Sequence, residues 1–226
     1  MSPAVTCKVN FELYSTLGLI AEWVNPSPFG AYPCAIMART EAMAMFTVGI
    51  LTISDAVSKG QRHDTSGENI ERTINRLDVR IDARDVVPDE RDRIGATLLD
   101  WCDKRRVDLI LTTGGTGLGP RDVTPEATRD VIQREVPGLA ELMRMESAKA
   151  NIHAVLSRAV VGTRGTSLIV NLPGSPKGVV ETLELLLPVL PHAIRINRGE
   201  QADHTPPSAG HHRSTDHEGH GHDHLH

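Results

Sequence analysis

The stretch of residues 109–125 restricts the fold of this chain most strongly, because a short apolar run leads directly into a glycine-dense loop. It reads LILTTGGTGLGPRDVTP. The apolar residues end in two threonines and a double glycine, a pattern typical of a buried parallel strand that turns sharply at its carboxyl end. Ligands of open α/β sheets bind at such ends. The stretch therefore predicts a strand followed by a binding loop.

The loop itself has the composition of an anion site. Gly114, Gly115 and Gly117 carry no side chain, so their backbone N–H groups can approach a ligand closely, and Thr116 adds a hydroxyl donor. Phosphate fits this arrangement, and a tight structural turn is the alternative. The loop lacks both the G-x-G-x-x-G spacing of dinucleotide-binding proteins and the Lys-Ser/Thr pair of a P-loop. Both of those functions are therefore disfavoured.

The sequence around this loop alternates between strand-like and helix-like segments. The strand-like segments are residues 46–54, 79–87, 107–112, 156–161 and 167–172. Helical spacing follows Ser66, which we expect to be an N-cap, and recurs over residues 89–102, 125–135 and 138–150 and from Gly178 onwards. Repeated strand-loop-helix units predict an α/β fold with a mostly parallel sheet and helices on both faces.

Two aspartates stand where predicted strands give way to loops or helices. Asp89 follows the second strand and Asp122 follows the glycine loop, so both can face the carboxyl edge of a parallel sheet. Two carboxylates beside a phosphate repel one another unless a cation lies between them, and Mg²⁺ is typically held by one or two carboxylates plus substrate phosphates. The alternatives are a helix-opening charge for Asp89 and a salt bridge with Arg121 for Asp122.

The composition excludes several classes of protein. The 226 residues carry a net charge of −5 with the two signs interspersed, which disfavours a nucleic-acid surface. The three cysteines are widely spaced and form no CxxC pair, so they favour a reducing, cytoplasmic location, and Cys102 is interpreted as a core residue. No apolar run reaches the roughly 18 residues of a membrane span. We therefore expect a cytoplasmic protein without nucleic-acid or membrane partners.

The chain divides by composition into three regions. Residues 1–45 contain scattered prolines and aromatics without a sustained period, and we assign no fold to them. Residues 46–198 hold the alternating elements. Residues 199–226 contain eight histidines interleaved with Asp, Glu and Gly, which predicts a disordered tail for which transition-metal binding is chemically reasonable.

Five segments of the middle region, taken together in this order, resemble the MogA and MoaB family, which includes the G domains of gephyrin and the plant Cnx proteins. The resemblance covers residues 46–198 and neither terminal region. Its most specific part is Gly-Gly-Thr-Gly followed by Arg-Asp-Val-Thr-Pro. The segments read TISD (52–55), DTSG (64–67), VPDE (87–90), LTTGGTGLGPRDVTP (111–125) and NLPGSPK (171–177).

The resemblance implies a three-layer α/β/α sandwich, usually trimeric, that transfers AMP from Mg-ATP to molybdopterin in molybdenum cofactor synthesis. By motif match, Asp89 and Asp122 correspond to the family's essential aspartates, which we expect to hold Mg²⁺. The matching ligand-binding positions are Asp55, Ser66, Gly114, Gly115, Thr116, Gly117, Pro173, Gly174 and Ser175. A separate molybdenum-insertase chain is a candidate partner on the same grounds.

Three other functions stay open from the sequence. A MoaB-like paralogue could share the fold and motifs but differ in role. A binding module could hold molybdopterin, or scaffold a partner, without adenylyl transfer. A metallochaperone could use the histidine-rich tail to deliver metal.

Overall fold

The computed structural model describes residues 46–200, which form a six-stranded sheet flanked by helices. The strands are β1 (Phe46–Ile53), β2 (Val79–Val87), β3 (Leu109–Thr113), β4 (Arg134–Glu135), β5 (Val161–Arg164) and β6 (Ser167–Leu172). The helices are α1 (Asp55–Ser58), α2 (Thr65–Ile74), α3 (Arg91–Leu99), α4 (Thr124–Val131), α5 (Pro137–Ala150), α6 (Pro176–Leu186) and α7 (Leu190–Asn197). A π-helical turn, Asp100–Lys104, extends α3, and a 3-10 turn, Ile152–Leu156, follows α5. The predictions for residues 1–45 and for the histidine-rich tail lie outside the described residues, apart from Gly199 and Glu200.

The strand order is β2-β1-β3-β6-β5-β4. Strand β1 pairs in parallel with β2 and β3, and β3 pairs in parallel with β6. Strands β5 and β4 run antiparallel and complete one edge. The predicted α/β class with a mostly parallel sheet is therefore confirmed.

The central strands are buried on both faces, which explains their nearly continuous apolar sequences. In β1, Val48 and Ile50 belong to the core shared with α2, α5, α6 and α7. Leu51 and Ile53 belong to the core shared with α3 and α4, on the opposite face. This alternation follows the two-residue period of a strand and produces the expected three layers.

The predicted helix over residues 125–135 is too long, because α4 ends at Val131. Ile132 adopts an extended backbone with ψ of 149°, and the Gln133 N–H donates to the Thr163 carbonyl at 2.8 Å. The next residues then pair with β5 as the two-residue strand β4. Hydrogen bonds to a distant strand thus override the local helical preference.

Two further details differ from the sequence predictions. The strand expected over residues 156–161 begins only at Val161, and a 3-10 turn precedes it. Ser66 is not the N-cap of α2. Asp64 caps that helix by accepting a hydrogen bond from Gly67 N at 2.9 Å, because its carboxylate stands one position before the first helical residue.

Within residues 46–200, no helix is both long enough and apolar enough to cross a membrane.

Candidate active site

The predicted site residues follow strands that end at one edge of the sheet. Register pairs Thr52 with Thr113 and Thr113 with Leu172, so β1, β3 and β6 end side by side. Their following loops carry Asp55, the glycine run and Gly174. Strand β2 ends beside β1 and leads to Asp89. This edge therefore gathers the loops that the sequence places at separate positions.

Asp55 and Asp89 are locked together by reciprocal hydrogen bonds. The Asp55 N–H donates to Asp89 Oδ2 at 2.8 Å, and the Asp89 N–H donates to Asp55 Oδ1 at 3.2 Å. Arg121 adds a bidentate ion pair, with its Nη2 2.9 Å from each Asp55 oxygen. The hydrogen bond from Arg121 is the main cause of the lowered pKa of Asp55. The Asp55 carboxylate is thus ionised and already occupied by protein donors.

Asp89 lies against the glycine loop. A Cβ built on Gly115 would be 3.2 Å from Asp89 Oδ1, and this oxygen has no hydrogen-bond partner among residues 46–200. Helix α3 begins at Arg91 without a side-chain cap, so Asp89 does not cap that helix. Its carboxylate instead accepts a bond from the first residue of α1 and leaves one oxygen available.

Asp122 folds back over the same loop. Its Oδ2 accepts a hydrogen bond from Gly119 N at 2.7 Å. A Cβ on Gly117 or Gly119 would stand 2.8 or 2.9 Å from that oxygen. Arg121 pairs with Asp55, so the alternative of an Arg121–Asp122 salt bridge is wrong. Asp122 Oδ1 has no protein partner in the described part of the chain.

The glycine loop needs glycine at two positions. Gly114 and Gly115 have φ of 101° and 61°, in the left-handed region that side chains disfavour. A Cβ on Gly114 would collide with the Ile53 carbonyl, and one on Gly115 would lie 2.5 Å from Thr124 Oγ1. The loop therefore packs directly on the end of β1 and on the start of α4.

The loop also presents unused donors. Among residues 46–200, the backbone N–H groups of residues 115–118 and the Thr116 hydroxyl have no hydrogen-bond partner. Consecutive free amides form the kind of concave donor surface that binds anions. This feature supports the prediction of a phosphate site over that of a purely structural turn.

The second loop touches the first. A Cβ on Gly174 would be 3.3 Å from Gly114 Cα, and Thr113 Oγ1 donates to the Pro173 carbonyl at 2.7 Å. Ser66 Oγ donates to the Gly174 carbonyl at 2.9 Å, so Ser66 lies in the cleft although it caps no helix. Ser175 caps α6 by accepting from Gly178 N at 3.2 Å.

Two cavities meet at these loops, and both reach Gly174 and Ser175. The first has a volume of about 490 Å³ and is lined by Ser54, Asp64, Ser66, Asp89, Gly114 and Gly115, among others. The second has a volume of about 370 Å³ and is lined by Thr116, Gly117, Arg144, Asn151, His153 and Thr182, among others. The two cavities share Gly174 and Ser175 and contact successive residues of the glycine loop, so they offer adjoining spaces for two ligands.

The carboxylates fit a magnesium ion that is shared with a substrate better than a protein-only metal site. No group of three or more His, Cys, Asp or Glu side chains that could hold a metal occurs within residues 46–200. Asp89 and Asp122 each keep one oxygen without a protein partner, and Mg²⁺ usually takes its remaining ligands from phosphates and water. The donor set is therefore suitable for Mg²⁺ that arrives with a nucleotide.

Sequence reasoning missed Arg158, which contacts the loop from outside the cleft. Its Nε donates to the Gly117 carbonyl at 2.7 Å, and its Nη groups donate to the Asp122 carbonyl and to Glu126. Nothing in the local sequence marks this residue, because its partners lie 32 to 41 positions away. The interpretation of Cys102 was correct, because it is buried and its burial raises the pKa of the thiol.

The fold and the site together define an α/β protein with glycine loops and two cavities at the carboxyl edge of a mostly parallel sheet. The family model described as a probable molybdopterin binding domain matches residues 49–192. The chain belongs to this molybdopterin-binding family.

Relatives of known function and structure agree with this assignment. A molybdopterin adenylyltransferase of Helicobacter pylori strain J99 is 43% identical over 162 residues, which cover 70% of this chain and 90% of that protein. Gephyrin of Dictyostelium discoideum is 41% identical over 179 residues, but these are only 24% of its length. The crystal structure of the molybdopterin biosynthesis enzyme MoaB from Thermus thermophilus has 53% identity and a TM-score of 0.66, covering 69% of this chain and 98% of that one.

Proposed function

We propose that the protein transfers AMP from Mg-ATP to the terminal phosphate of molybdopterin, giving adenylylated molybdopterin and pyrophosphate. The observation that carries the proposal is the meeting of two cavities at glycine loops with free backbone amides, beside two carboxylates that each keep a free oxygen. Similarity to molybdopterin adenylyltransferases at 41 to 43% identity supports the same reaction.

The reaction requires few catalytic groups from the protein. An oxygen of the molybdopterin phosphate, already anionic at neutral pH, attacks the α-phosphorus of ATP, and the bond from that phosphorus to the bridging oxygen breaks to release pyrophosphate. No strong general base is needed. The amides of residues 115–118 bind and align the phosphates, and Asp89 and Asp122 hold the cation. When bound, Mg²⁺ neutralises negative charge on the reacting phosphates.

A binding function without adenylyl transfer is the second candidate. Solved MoaB and MogA structures both share this fold, at 53% and 36% identity, so the fold alone does not distinguish the two candidates. The two candidates differ in one measurable property, the release of pyrophosphate.

The test is a pyrophosphate-release assay with the full-length chain, purified molybdopterin and Mg-ATP. We expect release that requires molybdopterin and Mg²⁺, together with the formation of adenylylated molybdopterin. Binding of molybdopterin without pyrophosphate release would instead support the binding module. Residues 46–198, assayed in parallel, test whether the proposed middle domain is sufficient.

We also propose that the protein acts in the cytoplasm as a homotrimer that passes its product to a molybdenum-insertase. Exposed apolar side chains support an assembly surface, because Met145, Ile152, Val155 and Leu156 lie on α5 and the following turn with 49 to 68% exposure. Light scattering on the purified chain tests the trimer, and a charged substitution at Ile152 should weaken it. In the gephyrin relative the matched part is only 24% of the length, so that protein carries further chain beside this domain.

A further inference from the structure

We propose that Arg158 is a positioning residue for the glycine loop, acting through backbone carbonyls on the side away from the ligand. The expected effect on the reaction rate rests on the proposed function, whereas the role of Arg158 in holding the loop rests on contacts within this chain. Arg158 precedes β5 and reaches the loop across a long sequence separation.

Arg158 makes an unusual set of contacts with one short segment. Its backbone N–H donates to the Thr116 carbonyl at 2.9 Å, and its Nε donates to the Gly117 carbonyl at 2.7 Å. Its Nη2 donates to the Asp122 carbonyl. One residue thus ties the beginning of segment 116–122 to its end, and the fixed fork of the guanidinium sets the spacing between the two.

Because the peptide bond is planar, the contacts of Arg158 with two carbonyls also fix the direction of the neighbouring backbone N–H groups. In a trans peptide, the carbonyl of one residue and the N–H of the next point in opposite directions. The carbonyls of Thr116 and Gly117 point at Arg158, so the N–H groups of Gly117 and Leu118 point away from it. These two amides belong to the set without a partner among residues 46–200. Arg158 therefore holds the donors toward an anion without touching it.

Glu126 keeps the guanidinium in place. Arg158 Nη1 pairs with Glu126 Oε1, and both side chains are 34% exposed. Burial acts to raise the pKa of Glu126, but the hydrogen bond from Arg158 and further favourable contacts outweigh it, so the pKa is lowered and the group stays ionised. Glu126 stands in the first turn of α4, directly after the loop. The pair thus joins both ends of the loop to the start of the helix.

Among residues 46–200, the hydrogen bonds of Arg158 go to the loop and to Glu126. Its neighbours Ser157 and Ala159 line the smaller cavity, whereas Arg158 lines neither cavity. Its loss should change the shape of the loop and the direction of the Asp122 carboxylate. A displacement of about 1 Å in aligning groups can lower a rate by about 100-fold.

The experiment compares Arg158→Lys and Arg158→Gln with the wild-type chain in two measurements. The first is hydrogen exchange of the amides of Gly119, Asp122 and Thr124, which are hydrogen-bonded within the loop region. We expect faster exchange at these three amides and unchanged exchange in β1 and β3. Arg129→Gln is the matched control, because Arg129 is an exposed arginine of α4 whose Glu135 partner is 4.0 Å away.

The second measurement is the rate of pyrophosphate release per folded molecule, with the folded fraction taken from near-ultraviolet circular dichroism. We expect kcat to fall about 100-fold in Arg158→Gln and about 10-fold in Arg158→Lys, which keeps the charge but not the fork. KM for either substrate should change by less than about threefold, and the Arg129 control should match the wild type.

Two results would overturn the inference. One is loop exchange in both variants equal to that of the wild type. The other is a kcat within about threefold of wild type in folded Arg158→Gln. If the wild-type chain itself releases no pyrophosphate, the proposed function fails, and the exchange measurement alone decides whether Arg158 positions the loop.

Discussion

Asp122 is the residue whose role can be tested most directly. Its Oδ2 is bound by Gly119 N, and its Oδ1 faces no protein donor within residues 46–200. The change Asp122→Asn preserves the size of the side chain but removes the negative charge that we assign to cation binding. We expect kcat to fall about 100-fold or more while KM for molybdopterin changes by less than about threefold, because the charge acts mainly in the transition state.

The matched control for this change is Asp130→Asn. Asp130 is an exposed aspartate of α4 that pairs with Arg91 at 2.6 and 2.7 Å, and among residues 46–200 it has no hydrogen bond to the glycine loop. Steady-state kinetics should therefore show a large loss of kcat in Asp122→Asn and a kcat close to that of the wild type in Asp130→Asn. Wild-type turnover in Asp122→Asn would remove this residue from the proposed mechanism.

Gly115 provides a second test, because the effect of steric contact there can be separated from the effect of backbone strain. Gly115 and Gly60 have similar φ of 61° and 69°, but only Gly115 has atoms close to the position of an added Cβ. We expect Gly60→Ala to lower the free energy of unfolding by about 1 kcal/mol through strain alone. Gly115→Ala should add a clash with Thr124 and Asp89 and abolish most of the activity.

Urea denaturation and pyrophosphate release measure the two contributions in Gly115→Ala and Gly60→Ala. Similar stability losses with similar, near-wild-type activity in both variants would contradict the tight packing of the loop against Asp89.

Asn171 connects β6 to β3, to α4 and to the residue that precedes β5. It is fully buried, and its Nδ2 donates to Thr112 Oγ1 at 3.0 Å and to Thr128 Oγ1 at 2.9 Å. Its Oδ1 accepts from Val160 N at 3.2 Å. The change Asn171→Leu would leave the Val160 N–H and two hydroxyls without this partner, so we expect a loss of about 3 kcal/mol in the free energy of unfolding.

Thr182 is buried like Asn171, but its polar group is not hydrogen-bonded in the described part of the chain. It is 1% exposed, and its Oγ1 has no hydrogen-bond partner among residues 46–200. The change Thr182→Val removes this unpaired hydroxyl at constant shape, so stability should stay equal or rise slightly. Urea denaturation of Asn171→Leu and Thr182→Val checks both expectations. A loss above about 1 kcal/mol in Thr182→Val would mean that its hydroxyl has a partner after all.

The long elements were predictable from sequence because local pattern and burial agree. Strands β1, β3 and β6 have apolar sequences that match their burial on both faces. The secondary-structure predictions fail where contacts between residues far apart in the sequence determine the local structure. Strand β4 consists of two exposed, charged residues that are ordered only by pairing with β5, and no local period marks them.

The candidate site was predictable to a similar degree. Glycines and aspartates at strand ends indicated the loops, because their chemistry is visible in the sequence. The pairing of Arg121 with Asp55 spans 66 positions, and Arg158 reaches the loop across 41. Such contacts depend on the completed sheet, so adjacent residues give no sign of them.

The edge of the sheet opposite the site brings the two ends of the described chain together. Arg198 follows α7 and donates to Asp108, with Nε and Nη2 at 2.7 and 2.6 Å from its oxygens. The Arg198 guanidinium also lies 5.0 Å from the centre of the Phe46 ring, at the start of β1. Arg198 therefore links the residue after α7 to the starts of β1 and β3.

This cluster makes the stability of the domain depend on pH in a definite direction. Burial acts to raise the pKa of Asp108, but the hydrogen bonds from Arg198 and Thr47 outweigh it, so the pKa lies below its ordinary value. A lowered pKa in the folded state stabilises the fold above the ordinary pKa of about 4. This contribution is lost as the pH falls through the lower, folded-state pKa.

The change Arg198→Gln weakens that dependence, because it removes the cation from an Asp108 carboxylate that has 9% side-chain exposure and keeps only its hydrogen bonds from Thr47. We expect a loss of about 3 kcal/mol in the free energy of unfolding at neutral pH. The difference from wild type should shrink as the pH is lowered toward about 4, because Asp108 in the variant can then take up a proton. Arg76→Gln is the control, since Arg76 and Glu184 form an exposed pair that should contribute less than about 1 kcal/mol at any pH. Urea denaturation of the three proteins across this pH range measures the differences, and a pH-independent effect of Arg198→Gln would assign its role to packing on Phe46 rather than to charge.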